Sequence, residues 1–268
     1  MPDTLFTTLL ERADTTEGID LQLPADWMQG RAGYGGLVGA LALKSMRRQV
    51  VAPMRKVRSL LIAFVGPVGP SHFSIHAQVL RAGKSVTQVE AKLVQAGQVR
   101  CMALGSFGED RESVIRIEPA SCPPMPAPDA SMELPYIDGL TPAFTRHFAY
   151  RWALGELPFS GQGGNEIGGW IQFREPTDCL TEEWLVALAD AWPTPVLGML
   201  SAPAAASTVT WELGFVHLDR ETCSPNDWWG YHCVADSAEK GYVHERGAIW
   251  DPGGQLAAYS RQTATIFA

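Results

Sequence analysis

The 268-residue chain reads as an α+β protein in which one unit, an apolar helix wrapped by an antiparallel sheet, occurs twice in tandem. Three observations predict it. Glycines open an apolar helical run at Leu37, and four strand-like segments follow that run. A proline-rich stretch then interrupts the pattern. After it come a second helical run and a second set of strand-like segments.

In the first half, Gly30, Gly33, Gly35 and Gly36 permit a tight turn before Leu37–Met46, whose apolar character predicts a helix buried on most faces. Arg47 and Arg48 supply cations suited to its C-terminus. Strand-like segments at 56–64, 71–80, 85–95 and 99–107 are separated by Gly-Pro, Ala-Gly-Lys and Ala-Gly-Gln breaks. The run from Ser121 to Pro128 holds too many prolines for either regular element and reads as linker. The expected division is an N-terminal domain at 1–107, a linker at 108–141 and a C-terminal domain at 142–268.

In the second half, β-like segments at 143–153 and 167–174 precede a helix with Thr181 as N-cap and Glu182 and Glu183 in its first turn. Trp184, Leu185, Leu188 and Trp192 fall at helical spacing along it. Strand-like segments follow at 207–217, 228–235, 242–250 and 255–267, the last two joined by the turn sequence Asp251-Pro252-Gly253-Gly254. Placing Ala82-Gly83-Lys84-Ser85-Val86 over Ala238-Glu239-Lys240-Gly241-Tyr242 aligns the two halves. One inserted residue then brings Ala96-Gly97-Gln98-Val99 over Gly253-Gly254-Gln255-Leu256.

The net charge of −8, without a local Lys/Arg stripe, argues against a nucleic-acid partner. Arg47, Arg48, Lys56 and Arg58 could hold a small anion, although a solvated basic edge is the commoner meaning of such a group. Cys101, Cys122, Cys179, Cys223 and Cys233 are odd in number and lack metal-ligand spacing, so neither a disulfide framework nor a metal site is expected. No apolar run approaches the ~20 residues that span a bilayer, and no leader pattern opens the chain. A soluble, cytoplasmic protein without cofactors is expected. A homodimer would cover exposed sheet edges and apolar patches.

Several stretches carry a family likeness. These are Gly35-Gly36-Leu37-Val38-Gly39-Ala40-Leu41, Val79-Leu80-Arg81-Ala82-Gly83-Lys84-Ser85-Val86, Leu188-Ala189-Asp190-Ala191, Ala206-Ser207-Thr208-Val209 and Ala258-Tyr259-Ser260-Arg261-Gln262. In order and spacing the chain resembles the acyl-CoA thioesterase II family, whose members carry two hotdog folds in one chain. The resemblance covers most of the sequence. It implies a double hotdog that hydrolyses acyl-CoA, or a related acyl thioester, to free acid and thiol, an activity of fatty acid metabolism. In that family an Asp on the second helix, a Thr or Ser on the next strand and a Gln on the last strand hold the hydrolytic water. The matching residues here are Asp190, Thr208 and Gln262. The stretches 63–67 and 214–218 lack the Arg that the family often carries there.

The chemistry fits those residue types. Thioester hydrolysis needs a water held against the carbonyl carbon and a group that takes its proton. Asp190 would be base or charge stabiliser, with Thr208 and Gln262 fixing the water by hydrogen bonds. A backbone N–H near Gly35-Gly36 could polarise the thioester oxygen.

Each residue also has a plainer meaning. Asp190 lies in an apolar helical run, where a carboxylate must be paired, solvated in a cavity or on an exposed stripe. Thr208 alternates with Thr210, Glu212 and Gly214, and threonine is common in strands. Gln262 shares a face with Ala258, Ser260, Ala264 and Ile266, so its amide needs partners, and its counterpart in the first half is Gly105. Trp211, Trp228, Trp229 and Trp250 read as core or interface residues more readily than as walls of an acyl tunnel.

Other chemistries lack their motifs. There is no G-x-S-x-G, no Walker A, and Gly33-Tyr34-Gly35-Gly36-Leu37-Val38 misses the third glycine of a dinucleotide loop. Two alternatives remain: a non-catalytic acyl-ligand binding module, and a hydratase or dehydratase acting on acyl thioesters. The latter would need a His paired with a carboxylate, and no motif nominates one among the six histidines.

Overall fold

The computed structural model describes residues 3–14 and 19–268. Among these, three α-helices lie against one antiparallel sheet of twelve strands. The helices are α1 (Phe6–Asp14), α2 (Gly35–Arg47) and α3 (Glu182–Ala189). In the first half the strands of the large sheet are β1 (Ile19–Gln22), β4 (Lys56–Phe64), β5 (His72–Ala82), β6 (Val86–Gln95) and β7 (Gln98–Gly108). The second half contributes β8 (Met132–Leu134), β9 (Phe148–Leu154), β10 (Glu166–Phe173), β11 (Ala205–Phe215), β12 (Trp229–Glu239), β13 (Tyr242–Trp250) and β14 (Leu256–Phe267). The short strands β2 (Met28–Gln29) and β3 (Ala32–Gly33) pair only with each other.

The strand order is β1-β5-β6-β7-β4-β11-β14-β13-β12-β10-β9-β8. Each half forms the same four-strand unit, and the two meet where β4 pairs with β11 from Ser59↔Gly214 to Ala63↔Thr210. That junction buries two strand edges that would otherwise present free N–H and C=O groups. The hairpins aligned in the sequence, at 82–86 and 238–242, occupy equivalent places in the two units. The turn at Asp251 forms as expected: Asp251 N–H donates to Gln255 O, and Gln255 N–H donates to Asp251 Oδ1 at 2.8 Å.

The strands alternate buried and exposed residues because only one sheet face is covered by helices. Helices α2 and α3 pack on each other over that face and run in opposite directions: Gly36 lies by Asp190, and Arg47 pairs with Glu182 at 3.2 Å. Their close approach depends on Gly39. A Cβ there would stand 2.9 Å from Ile62 Cδ1 and 3.2 Å from Val186 Cγ1. Glu182 and Glu183 are buried at the N-terminus of α3, where a negative charge is favoured, and Glu182 also accepts from Arg220.

Some elements differ from the sequence-based expectation. Residues 143–147 form a 3-10 turn before β9, because Pro142 starts the turn and Arg146 and Thr145 bond back to Ala143 O and Pro142 O. The α3 helix ends at Ala189, so Trp192 lies beyond it and stacks on Tyr231. Thr181 occupies the N-cap position without a side-chain cap bond. The expected linker at 108–141 is tied down, with Pro126 O accepting from Trp170 Nε1 and Ala120 O from Trp250 Nε1. It also contains β8, paired with β9. The helix α1 was not anticipated. It docks Phe6 between Trp27, Phe173 and Trp184, and its start is held by Glu175. Trp211, Trp229 and Trp250 are buried and bonded through their indole N–H groups, as core residues.

Candidate active site

Asp190, Thr208 and Gln262 come from three elements and form one hydrogen-bonded chain. Thr208 Oγ1 donates to Gln262 Oε1 at 2.7 Å, and Gln262 Nε2 donates to Asp190 Oδ1 at 3.1 Å. Gln262 lies on the helix-facing side of β14, in step with Ala258, Ser260 and Ala264, as its alternation predicts.

Thr208 reaches that side by a different route from the one its sequence suggests. A bulge at Val209 breaks the register of β11, so that Thr208 pairs with Ala264 while Thr210 pairs with Thr263. The extra residue reverses the alternation. Thr208 therefore faces the helices together with buried Trp211 and Leu213, whereas Thr210 and Glu212 face outward. Alternation alone had put Thr208 on the face of Thr210, Glu212 and Gly214.

Asp190 is the C-cap of α3 and lies just past the helix. A carboxylate at a helix C-terminus opposes the helix dipole. Here the N-terminus of the antiparallel α2 offsets that opposition, and the nearby backbone N–H of Gly36 favours the charged carboxylate. Gly35 makes the approach sterically feasible, since a Cβ on it would stand 2.8 Å from Asp190 Oδ2.

Asp190 sits deep in the protein yet is only half-buried by accessible surface, as is Thr208. Burial pushes the Asp190 carboxyl up to about 7, and the Gln262 hydrogen bond and the nearby Gly36 N–H pull it only partly back. The nearby Glu245 charge raises it further. Tyr34, Tyr150 and Tyr231 surround the group, all held neutral by burial. Tyr34 donates to Ala187 O and Tyr150 to Ala191 O, fixing the chain on both sides of Asp190. Among the described residues no histidine hydrogen-bonds to the trio. His147 is a core residue stacked on Trp27 and bonded to Asp26 O at 3.1 Å. No group of His, Cys, Asp and Glu that could hold a metal occurs among them.

The equivalent positions in the first half are apolar. Register places Leu60 opposite Gly105 where Trp211 stands opposite Gln262, and a matching bulge after Val57 puts Val57 in the place of Thr208. Met46 lies over Gly105. Among the described residues, the trio therefore has no polar counterpart in the first half.

Sequence reasoning missed Glu245. It is buried on β13 directly across from Gln262. Its alternation with Val243 was the signal that could have found it.

Comparison with known proteins agrees with this architecture. Residues 23–108 match the family model of the acyl-CoA thioesterase N-terminal domain, and residues 119–266 match that of the acyl-CoA thioesterase C-terminal domain. No curated protein matches the chain. Among solved structures, a hot dog fold protein of unknown function from Alicyclobacillus acidocaldarius is similar over 97% of this chain and 98% of its own, with TM-score 0.82 and 22% identity. A putative thioesterase II from Thermobifida fusca gives TM-score 0.82 at 19% identity, covering 100% of this chain and 99% of its own. An acyl-CoA thioesterase II from Mycobacterium marinum gives 0.71 at 19% identity, over 96% of each chain. These structural likenesses show the fold, a double hotdog. The two domain matches, which together take in most of the sequence, go further: the chain belongs to the acyl-CoA thioesterase family and is a thioesterase.

Proposed function

We propose that the protein hydrolyses acyl-CoA thioesters with a water held by Asp190, Thr208 and Gln262. The observation that carries this reading is the continuous chain from Thr208 through Gln262 to Asp190, with accessible surface on its two ends. The Thr208 hydroxyl holds the Gln262 carbonyl, so the amide N–H₂ is aimed at Asp190. One amide hydrogen serves Asp190, and the other is left to orient a water or the thioester carbonyl. Asp190 in its ionised form takes a proton from the water as its oxygen bonds to the carbonyl carbon. The tetrahedral intermediate then collapses, the C–S bond breaks, and the proton on Asp190 passes to the departing thiolate. The domain boundaries at 107, 142 and the segment between them belong to the same proposal: two hotdog units, of which the second supplies the reacting side chains and the first supplies Gly36.

The test is release of free thiol from a panel of acyl-CoA esters, acetyl to palmitoyl plus an aromatic acyl group, by the wild type and Asp190→Asn. Loss of a positioned general base costs about 10²- to 10⁴-fold. Turnover that survives in Asp190→Asn at a comparable rate would sink the assignment.

A further inference from the structure

The site contains a second carboxylate. Glu245 and Gln262 are direct cross-strand partners on β13 and β14, 6% and 8% exposed respectively, and both belong to the helix-facing side of the sheet. Such partners hold their Cβ atoms about 5 Å apart. Glu245 Oε2 is buried without a hydrogen-bond partner. Trp192 Nε1 and Thr194 Oγ1, from the segment that leaves Asp190, are buried and unpartnered as well. Thr194 lies beside the Glu245 carboxyl, close enough to favour its charged form slightly, but its hydroxyl makes no well-formed bond.

The groups that face the two carboxylates are Tyr34 at the start of α2, Tyr150 on β9, and Tyr231 and Cys233 on β12. All are neutral, because burial raises each of them. Arg246, next in the chain, turns the other way and pairs with Asp236 at 2.7 Å. No cation among these groups balances a second negative charge. Two like charges in a dry site do not both ionise readily.

We propose that Glu245 is a positioning residue of the hydrolytic site, a like charge across from Gln262 that opposes ionisation of Asp190 and thereby sets the lower edge of the pH range in which the site works. The inference rests on Asp190 acting as the base. Burial pushes Glu245 up to about 7, which matches Asp190 and gives the pair one shared range of titration.

The experiment is kcat/KM against pH for the wild type, Glu245→Gln and Asp190→Asn. Glu245→Gln removes the like charge at nearly constant shape, so the acid limb should move to lower pH by about one unit. Glu245→Met, which replaces the buried carboxyl by an apolar chain of similar length, should move the limb the same way and serves if the amide variant does not fold. An acid limb that stays in place in the folded variants, whatever happens to the plateau, overturns the role of Glu245. Asp190→Asn separates the two ideas. If it is inactive and the limb is unmoved, only the Glu245 inference fails; if it retains full turnover, the base assignment fails and Glu245 goes with it.

Discussion

The backbone N–H of Gly36, at the start of α2, lies near the carboxylate of Asp190, at the end of α3, and favours its charged form. The two residues belong to different halves of the chain, so the site is complete only because the halves pack with their helices antiparallel. The positive end of one helix offsets the burden of a carboxylate at the negative end of the other.

This contact makes Gly35 a sensitive position. In Gly35→Ala the new Cβ would stand 2.8 Å from Asp190 Oδ2 and 3.2 Å from Phe64 Cζ. The carboxylate must move, and Gln262 loses its acceptor. A displacement of this kind costs on the order of 10²-fold in kcat/KM. Alanine is a better helix former than glycine, so the thermal midpoint should fall little. A variant with wild-type kcat/KM would show that Asp190 is not held where the reaction needs it.

On the proposed mechanism Thr208 acts through Gln262, to whose Oε1 it donates. Thr208→Val keeps the shape and removes the donor to Gln262 Oε1. The amide is then free to turn its oxygen toward Asp190, and kcat/KM should fall about 10- to 100-fold. Because the two residues work as a unit, Thr208→Val added to Gln262→Ala should cost little beyond Gln262→Ala alone. Additive losses in that double-mutant cycle would mean that Thr208 meets the water independently.

Much of this site was legible in the sequence, for identifiable reasons. Gln262 sits in a regular strand, so its alternation with Ser260 and Ala264 gave its face directly. Thr208 was assigned to the face of Thr210 and Glu212 because a bulge at Val209 reverses the alternation, and a bulge leaves no periodic trace in one strand's residues. The family resemblance selected Thr208 where periodicity had not. The strands of both units were visible because their turns carry glycine and their faces alternate. Helix α1 was not, since three of its four anchors, Glu175, Phe173 and Trp184, lie more than 150 residues away in the chain. Glu245 escaped notice because one Glu in the stretch Tyr242-Val243-His244-Glu245-Arg246 reads as a polar strand position until Gln262 is placed opposite it.

The raised Asp190 carboxyl also predicts how stability depends on pH. Burial holds the folded-state value near 7, above that of the unfolded chain. Between the two values the folded protein keeps a proton that the unfolded chain has released, so stability is lost as pH rises through this range. Asn carries no charge and removes that loss. The thermal midpoint of Asp190→Asn relative to wild type should therefore increase between about pH 5 and about pH 8. A difference that is flat across this range would mean that Asp190 is solvated like an ordinary surface carboxylate.

The first half cannot be given a second site by restoring one residue. Gly105 stands where Gln262 stands in the second half, but a Cβ on it would already be 2.8 Å from Met46 Sδ and 2.9 Å from Phe107 Cε2. Val57 offers no hydroxyl, and Met46 offers no carboxylate, so a glutamine amide placed there would be buried without partners. Gly105→Gln should lower stability by about 1–3 kcal/mol through overpacking, with a further penalty for the unpaired amide. The thiol-release rate per folded chain should stay unchanged, because Asp190, Thr208 and Gln262 lie at the other ends of the two helices. Chemical denaturation read alongside turnover checks both parts. A gain in turnover would mean that the trio's geometry, and not its three side chains together, is enough for hydrolysis.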